Sequence, residues 1–278
     1  MRRPRFSPTR LEMYLTCPRA YHCYYDRGLR WGRLTPAHAL GGSLHRALQH
    51  FHNAGGPRNQ DVNALLAAYR ASWVGASYAT AADAAAHFAA GEAALRAYYE
   101  AARLKERETL WTERTLQYRY PEFVLFGKID RLDRLPTGEL EVVDYKSGRL
   151  AVSEEEVRTS LPLAVYQLLA ARTYPSCPVR VAIYCLRTGE SASVLRSPQE
   201  LEAVEAGVCR TALTVLEDDE KEPTPGPACA ACPFTRLCPE GRRYLADHTS
   251  APAPSAAGWD PRPRGAANNG GGLRAADG

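Results

Sequence analysis

Lysine is nearly missing from this chain. Of its 35 basic residues only Lys105, Lys128, Lys146 and Lys221 are lysines, and the rest are arginines. Where composition drifts so far toward arginine, each retained ammonium invites a chemical reason. Long apolar runs are missing too: nothing approaches the roughly 20 residues of a membrane-spanning helix, and the alanine-rich stretch near 79–90 is broken by Asp83 and His87. The basic start MRRPRF runs into SPTRLEMYLT rather than an apolar segment, which argues against a secretory signal and for the cytoplasm. No G-x-x-x-x-G-K-[ST] phosphate loop and no internal repeat occurs. Net charge is only +4, which permits a nucleic-acid partner without arguing for one. Without export, the eight cysteines read as thiols or metal ligands rather than disulfides.

What is present fits one α/β domain over residues 1–248. Ser7-Pro8 predicts a helix that ends near Cys17-Pro18, a second helix is expected from about Ser43 through Phe51, and helical patterns cover about 61–74 and 82–105, so 7–105 is mainly helical. The catalytic core is expected at about 106–217. It comprises strands in LWTERTLQYRY, FVLFGKIDRLDRL and ELEVVDYKSG, a helix over 161–174, strands over 179–187 and 193–197, and a helix over 198–217. A cysteine cluster follows at 229–238. From Thr249 to Gly278, Ala, Gly, Pro and Asn predominate, as in a disordered tail.

The segment EVVDYKSG (141–148) carries chemistry. In a strand Asp144 and Lys146 project to one face and Tyr145 to the other. A hairpin centred on Thr137 pairs residues whose numbers add to 274, which sets Asp130 opposite Asp144. Two carboxylates at that spacing repel unless a cation lies between them or one is protonated, and a bulge that slips the register would move one of them to the other face. Gly127 beside them would let a backbone or ligand approach. Carboxylates with an ammonium suit phosphodiester hydrolysis, in which a divalent cation activates water and the lysine orients it or stabilises developing charge.

G-K-I-D-R-L-D followed by V-V-D-Y-K-S-G resembles the RecB-like branch of the PD-(D/E)XK nucleases. The resemblance implies a mixed sheet flanked by helices, with Asp130 and Asp144 as Mg²⁺ or Mn²⁺ ligands and Lys146 as the catalytic lysine. G-G-S-L-H (41–45) is similar to that family's histidine segment, which makes His45 a further candidate ligand. Glu113 falls near the family's first acidic motif, or is an exposed strand glutamate. The family's Q-x-x-x-Y appears here as P-L-A-V-Y, with Tyr166 present, Pro162 in place of the glutamine, and Gln167 turned about 100° from it around the helix. Its usual contact with DNA is correspondingly altered.

The spacing C-x₂-C-x₅-C gives Cys229, Cys232 and Cys238, three thiols that want a fourth, and Cys17 is available. Read as spacing alone, zinc is the generic occupant. The resemblance to AddB-type, CRISPR-adaptation and standalone exonucleases implies instead a four-iron four-sulfur staple (4Fe-4S) joining the chain's ends, with Cys23 the one competing thiol. Arg19, Tyr21 and neighbouring tyrosines mix basic and aromatic character as single-strand binders do, or pack on the core. The function implied is single-strand DNA exonuclease activity in repair or recombination, with any unwinding left to a helicase partner. The alternatives are an inactive DNA-binding module of the same fold and a CRISPR-associated end processor.

Overall fold

The computed structural model describes residues 3–30, 35–75 and 78–248; the expected tail lies outside these. Strand β1 (Arg5–Phe6) precedes helices α1 (Pro8–Thr16), α2 (Pro18–Tyr21), α3 (Pro36–Asn53), α4 (Val62–Ser72) and α5 (Ala81–Ala102). The core then runs β2 (Glu108–Arg119), β3 (Val124–Arg134), β4 (Leu140–Lys146), α6 (Glu154–Thr159), α7 (Leu161–Thr173), β5 (Val179–Cys185), β6 (Ser191–Val194) and α8 (Pro198–Glu217). Helix α9 (Pro239–Asp247) closes the described chain. None of the described helices is long and apolar enough to cross a membrane.

Most helix starts follow from local chemistry. Ser7, Thr35, Asp61, Thr80, Ser160 and Ser197 each accept a backbone N–H at the first turn, and proline follows four of them within two residues. The acidic run at 154–156 is such a start, with Ser153 and Glu156 forming a capping box.

The six strands make one mixed sheet in the order β1-β3-β4-β5-β6, with β2 also on β3. Pairs β2/β3, β3/β4 and β5/β6 are antiparallel; β1/β3 and β4/β5 are parallel. One face packs Leu125, Ile129, Val142, Val181 and Ile183 under α1, α7 and α8. The other packs Val143, Tyr145 and Tyr184 under Leu44 and Leu48 of α3, Leu65 and Leu66 of α4, and Leu95 and Tyr98 of α5. Helix α7 touches the sheet and α8 at once and is buried nearly all round, so it carries almost no polar stripe.

Two expectations are corrected and one element is added. The short strand β1 lies outside every element expected from the sequence. Helix α3 starts at Pro36 rather than near Ser43 and runs through Gly41-Gly42, a pair that usually breaks helices; a Cβ on Gly41 would lie 2.9 Å from Ser147 Oγ, so close packing on the end of β4 selects glycine there. Finally, β6 covers Ser191–Val194 rather than 193–197, because Ser197 caps α8.

Candidate active site

Strand β3 has two edges. Strand β2 lies along one of them, from Val124 to Arg134. The other is shared by β1, which pairs at Val124 and Leu125, and by β4, which pairs from Arg131 to Arg134. Residues 126–130 therefore have no described strand on that side, and β3 and β4 fork apart just past the Arg131–Val143 pair. The expected register, numbers adding to 274, holds over all four pairs, and the next would be Asp130 with Asp144. There the carboxylate replaces the ladder: Tyr145 N–H donates to Asp130 Oδ2 at 2.9 Å.

Side-chain alternation also slips at this point. On β3, a Cβ on Gly127 would meet α7, and Ile129 and Leu132 pack on that same face, while Arg131 and Asp133 reach Tyr98 and Thr109 on the other. On β2 the facing residue, Glu113, has φ +50°, a conformation costly for a residue with a side chain. The matched kink turns Glu113 and Asp130 toward one another's neighbourhood at the fork.

Helix α3 completes the site. One turn after Gly41 comes His45, whose Nδ1 lies 3.4 Å from Asp130 Oδ2 and 3.7 Å from Glu113 Oε1. Its Nε2 faces the Tyr145 carbonyl at 3.1 Å. An Nε2–H donated there leaves Nδ1 free as a ligand, the outer-shell arrangement that metal-binding histidines use. Burial opposes charge on His45, but the Asp130 and Glu113 carboxylates outweigh it, and its pKa is pushed up to about 10. Burial also pushes Glu113 up, yet His45 and Lys128, whose Nζ is 2.6 Å away, hold it below the usual carboxylate value.

Asp144 is buried, and burial raises its pKa, with Asp130 adding to the rise and Lys146 opposing it. Lys146 Nζ is 2.7 Å from Asp144 Oδ2, a close ion pair at the end of β4. The ligand atoms that lie within 4.8 Å of one another are those of His45, Glu113 and Asp130, and this is the one such group among the described residues. The resemblance implied His45, Asp130 and Asp144 as ligands with Glu113 as a further acidic residue; the structure brings His45, Glu113 and Asp130 together and pairs Asp144 with Lys146. Carboxylate oxygens and a histidine with its outer nitrogen engaged fit a hard divalent cation.

Gly127 serves a different neighbour from the one expected. A Cβ there would lie 2.8 Å from Tyr166 Cε1, so the close approach is that of an aromatic ring rather than of backbone or ligand. Burial and the surrounding carboxylates of Asp144, Asp130, Glu12 and Glu113 raise the Tyr166 pKa, which keeps the phenol neutral. Gln167 does point away: its Oε1 accepts from buried Arg196 at 2.8 Å. Tyr21 is unavailable to a base, since it is 1% exposed and its hydroxyl accepts from Arg10 Nε at 2.7 Å. Arg19 stays 42% exposed, with Nε donating to the Lys221 carbonyl.

Sequence reasoning passed over Glu12 of α1, raised by burial and opposed by Lys146, and Lys128. The rarity of lysine singled out Lys146 and could have singled out Lys128.

Around the other end, Cys17 caps α1 and Cys238 caps α9. A Cβ on Gly241 would lie 3.4 and 3.5 Å from the sulfurs of Cys229 and Cys238, and the Gly226 and Gly241 N–H groups point at those same sulfurs. Burial raises the Cys238 thiol, with Glu240 and Cys17 adding to the rise against the Gly241 N–H. Burial likewise raises Cys23, with Cys232 and Cys17 adding against Arg19 and Arg27.

The PD-(D/E)XK nuclease superfamily model matches residues 5–239. The chain belongs to the PD-(D/E)XK nuclease superfamily. That membership makes it a phosphodiester hydrolase of a family that uses divalent metals, and His45, Glu113 and Asp130 form a group that could hold one. Among solved structures, one from Eubacterium rectale, titled a candidate exonuclease, is 12% identical, with a TM-score of 0.46 over 85% of this chain and 86% of that one. Another, SSO0001, is 14% identical, with a TM-score of 0.38 over 86% and 87%. No curated protein matches the sequence.

Proposed function

We propose that this PD-(D/E)XK nuclease is a Mg²⁺- or Mn²⁺-dependent deoxyribonuclease that degrades single-stranded DNA from an end, in repair or recombination. The observation that carries the reading is the fork between β3 and β4, where His45, Glu113, Asp130, Asp144 and Lys146 converge. His45, Glu113 and Asp130 would hold the cation, with Asp144 adjoining. When bound, it would lower the pKa of a water and neutralise phosphate charge.

The chain's own groups do the rest. Lys146, 44% exposed at the strand's end, can leave Asp144 to orient a water or meet charge building on the phosphate. Tyr166, neutral beside the carboxylates, would donate a hydrogen bond to a phosphate oxygen. Arg19, exposed on α2, supplies charge for the backbone of a strand that enters past the N-terminal helices.

Cys17, Cys229, Cys232 and Cys238 would hold a 4Fe-4S cluster that ties the two ends of the described chain. Iron and sulfide analysis of anaerobically purified protein tests it, and zinc in place of iron would overturn it.

The test of function is degradation of end-labelled single-stranded DNA, with and without Mg²⁺ or Mn²⁺, by the wild type and Lys146→Ala. Metal-dependent cleavage that falls by about 10²-fold or more in the variant is expected. Equal cleavage by both proteins would overturn the lysine's role. If neither cuts but DNA is bound, the chain is the inactive binding module.

A further inference from the structure

On the sheet face away from α7, a cavity of about 560 Å³ opens between the end of α5, the 55–59 turn and strands β2, β5 and β6, and it contains none of the nuclease-site residues. Its size falls in the range of small-molecule sites, about 300–1,000 Å³. Its wall carries five cationic side chains, Arg58, Arg103, Lys105, Arg107 and Arg131, against three carboxylates, Glu108, Asp133 and Glu141.

Those carboxylates are already engaged. Asp133 lies 3.0 Å from Arg131 and 3.5 Å from Arg107, Arg107 also pairs with Glu141, and Glu108 has Arg134 at 3.4 Å. His52 stays neutral, because burial and Arg131 hold its pKa well below the ordinary value. Of the wall's cations, Arg103 has Glu100 at 2.6 Å, whereas Arg58 and Lys105 have no carboxylate partner among the described residues. Tyr184, 7% exposed, has an unbonded hydroxyl, and Arg131, 4% exposed, has an unbonded Nε. Lys105 forms no ion pair and rests 5.8 Å over the Tyr184 ring, with burial and then Arg107 holding its pKa below the lysine value.

We infer that this cavity is a second ligand site, which takes a small phosphomonoester of up to mononucleotide size, with the phosphate toward the cationic rim of Lys105 and Arg58. A ligand must bring negative charge, because Arg58 and Lys105 face the cavity without a carboxylate partner. Ala101, Ala102 and Ala182 give its organic part an apolar wall.

The test is calorimetric titration of deoxyadenosine 5′-monophosphate, inorganic phosphate and deoxyadenosine into the full chain without divalent metal, beside Lys105→Ala, Arg58→Ala and Lys146→Ala. Saturable binding of the monophosphate is expected, weakened about tenfold or more by Lys105→Ala, with deoxyadenosine silent and Lys146→Ala unchanged. Binding of inorganic phosphate as tightly as the nucleotide would name phosphate itself as the ligand within the same class. The inference is overturned if neither phosphate-bearing probe binds, if both Lys105→Ala and Arg58→Ala bind as the wild type does, or if Lys146→Ala is the variant that loses binding.

Discussion

Gly127→Ala should loosen the nuclease site through one methyl group. The new Cβ would stand 2.8 and 2.9 Å from two carbons of the Tyr166 ring and 3.3 Å from Leu169 Cδ1, where carbon contacts want about 3.5–4.0 Å. Both sides of the contact are stiff, because β3 is hydrogen-bonded to β2 at Leu116 and α7 is packed against the sheet and α8. The ring must withdraw by roughly 1 Å, and overpacking of this kind costs about 1–3 kcal/mol. Replacing a strand glycine returns about 0.5–1 kcal/mol through the unfolded chain, so a net loss of about 1–2 kcal/mol is expected. Displacement by about 1 Å at a site can cost on the order of 10²-fold in rate. Urea unfolding of Gly127→Ala, Tyr166→Ala and the double variant measures this, and the double variant should recover part of the loss, a coupling of about 1 kcal/mol. Stability of Gly127→Ala within about 0.5 kcal/mol of wild type, or strictly additive variants, would refute the reasoning.

Two further predictions follow from titrating groups. His45 is protonated in the metal-free protein, with its pKa pushed up to about 10, so loading Mn²⁺ near neutral pH should release close to one proton that His45→Asn does not release; calorimetry in buffers of different ionisation enthalpy reads it, and equal release by both proteins would sink the assignment. Without metal, the same shift stabilises the fold fully below the unfolded value of 6.5, and that contribution is lost as pH rises through about 10. His52 has the opposite sign: its folded pKa lies well below 6.5, so the unfolded chain binds the extra proton and stability falls as pH drops through 6.5. His52→Gln should flatten that part of the stability profile, and an unchanged slope would count against a neutral buried imidazole.

The hairpin was legible because its information is local. A turn at Thr137 and a period of two fix which residue faces which, and the 274 register holds in the fold. The kink was not legible. Nothing in T-E-R or I-D-R announces that alternation slips at Glu113 and Asp130, since the slip comes from two strands kinking together. Gly41-Gly42 misled for a related reason: propensity reads it as a break, whereas contact with Ser147 lets α3 continue and carry His45 to the site. Tyr21 and Tyr24 look alike in sequence, and only packing against Arg10, Tyr14 and Tyr25 buries the first.

The R-L-D that follows Asp130 acquires a physical meaning once the slip is recognised. Arg131 and Asp133 turn to the face that α3 and α5 cover, where Arg131 donates to the hydroxyls of Tyr98 and Tyr145 and pairs with Asp133 at 3.0 Å. Tyr145 is thereby held at both ends. Its ring is fixed in the core, while its N–H fixes Asp130 and its carbonyl fixes His45. The residues on either side of it are Asp144 and Lys146, so the buried network around Tyr145 bears on Asp130 and His45 directly and on Asp144 and Lys146 through the chain. A buried guanidinium is costly unless every partner is present, and that cost is what makes such a network specify one geometry rather than several.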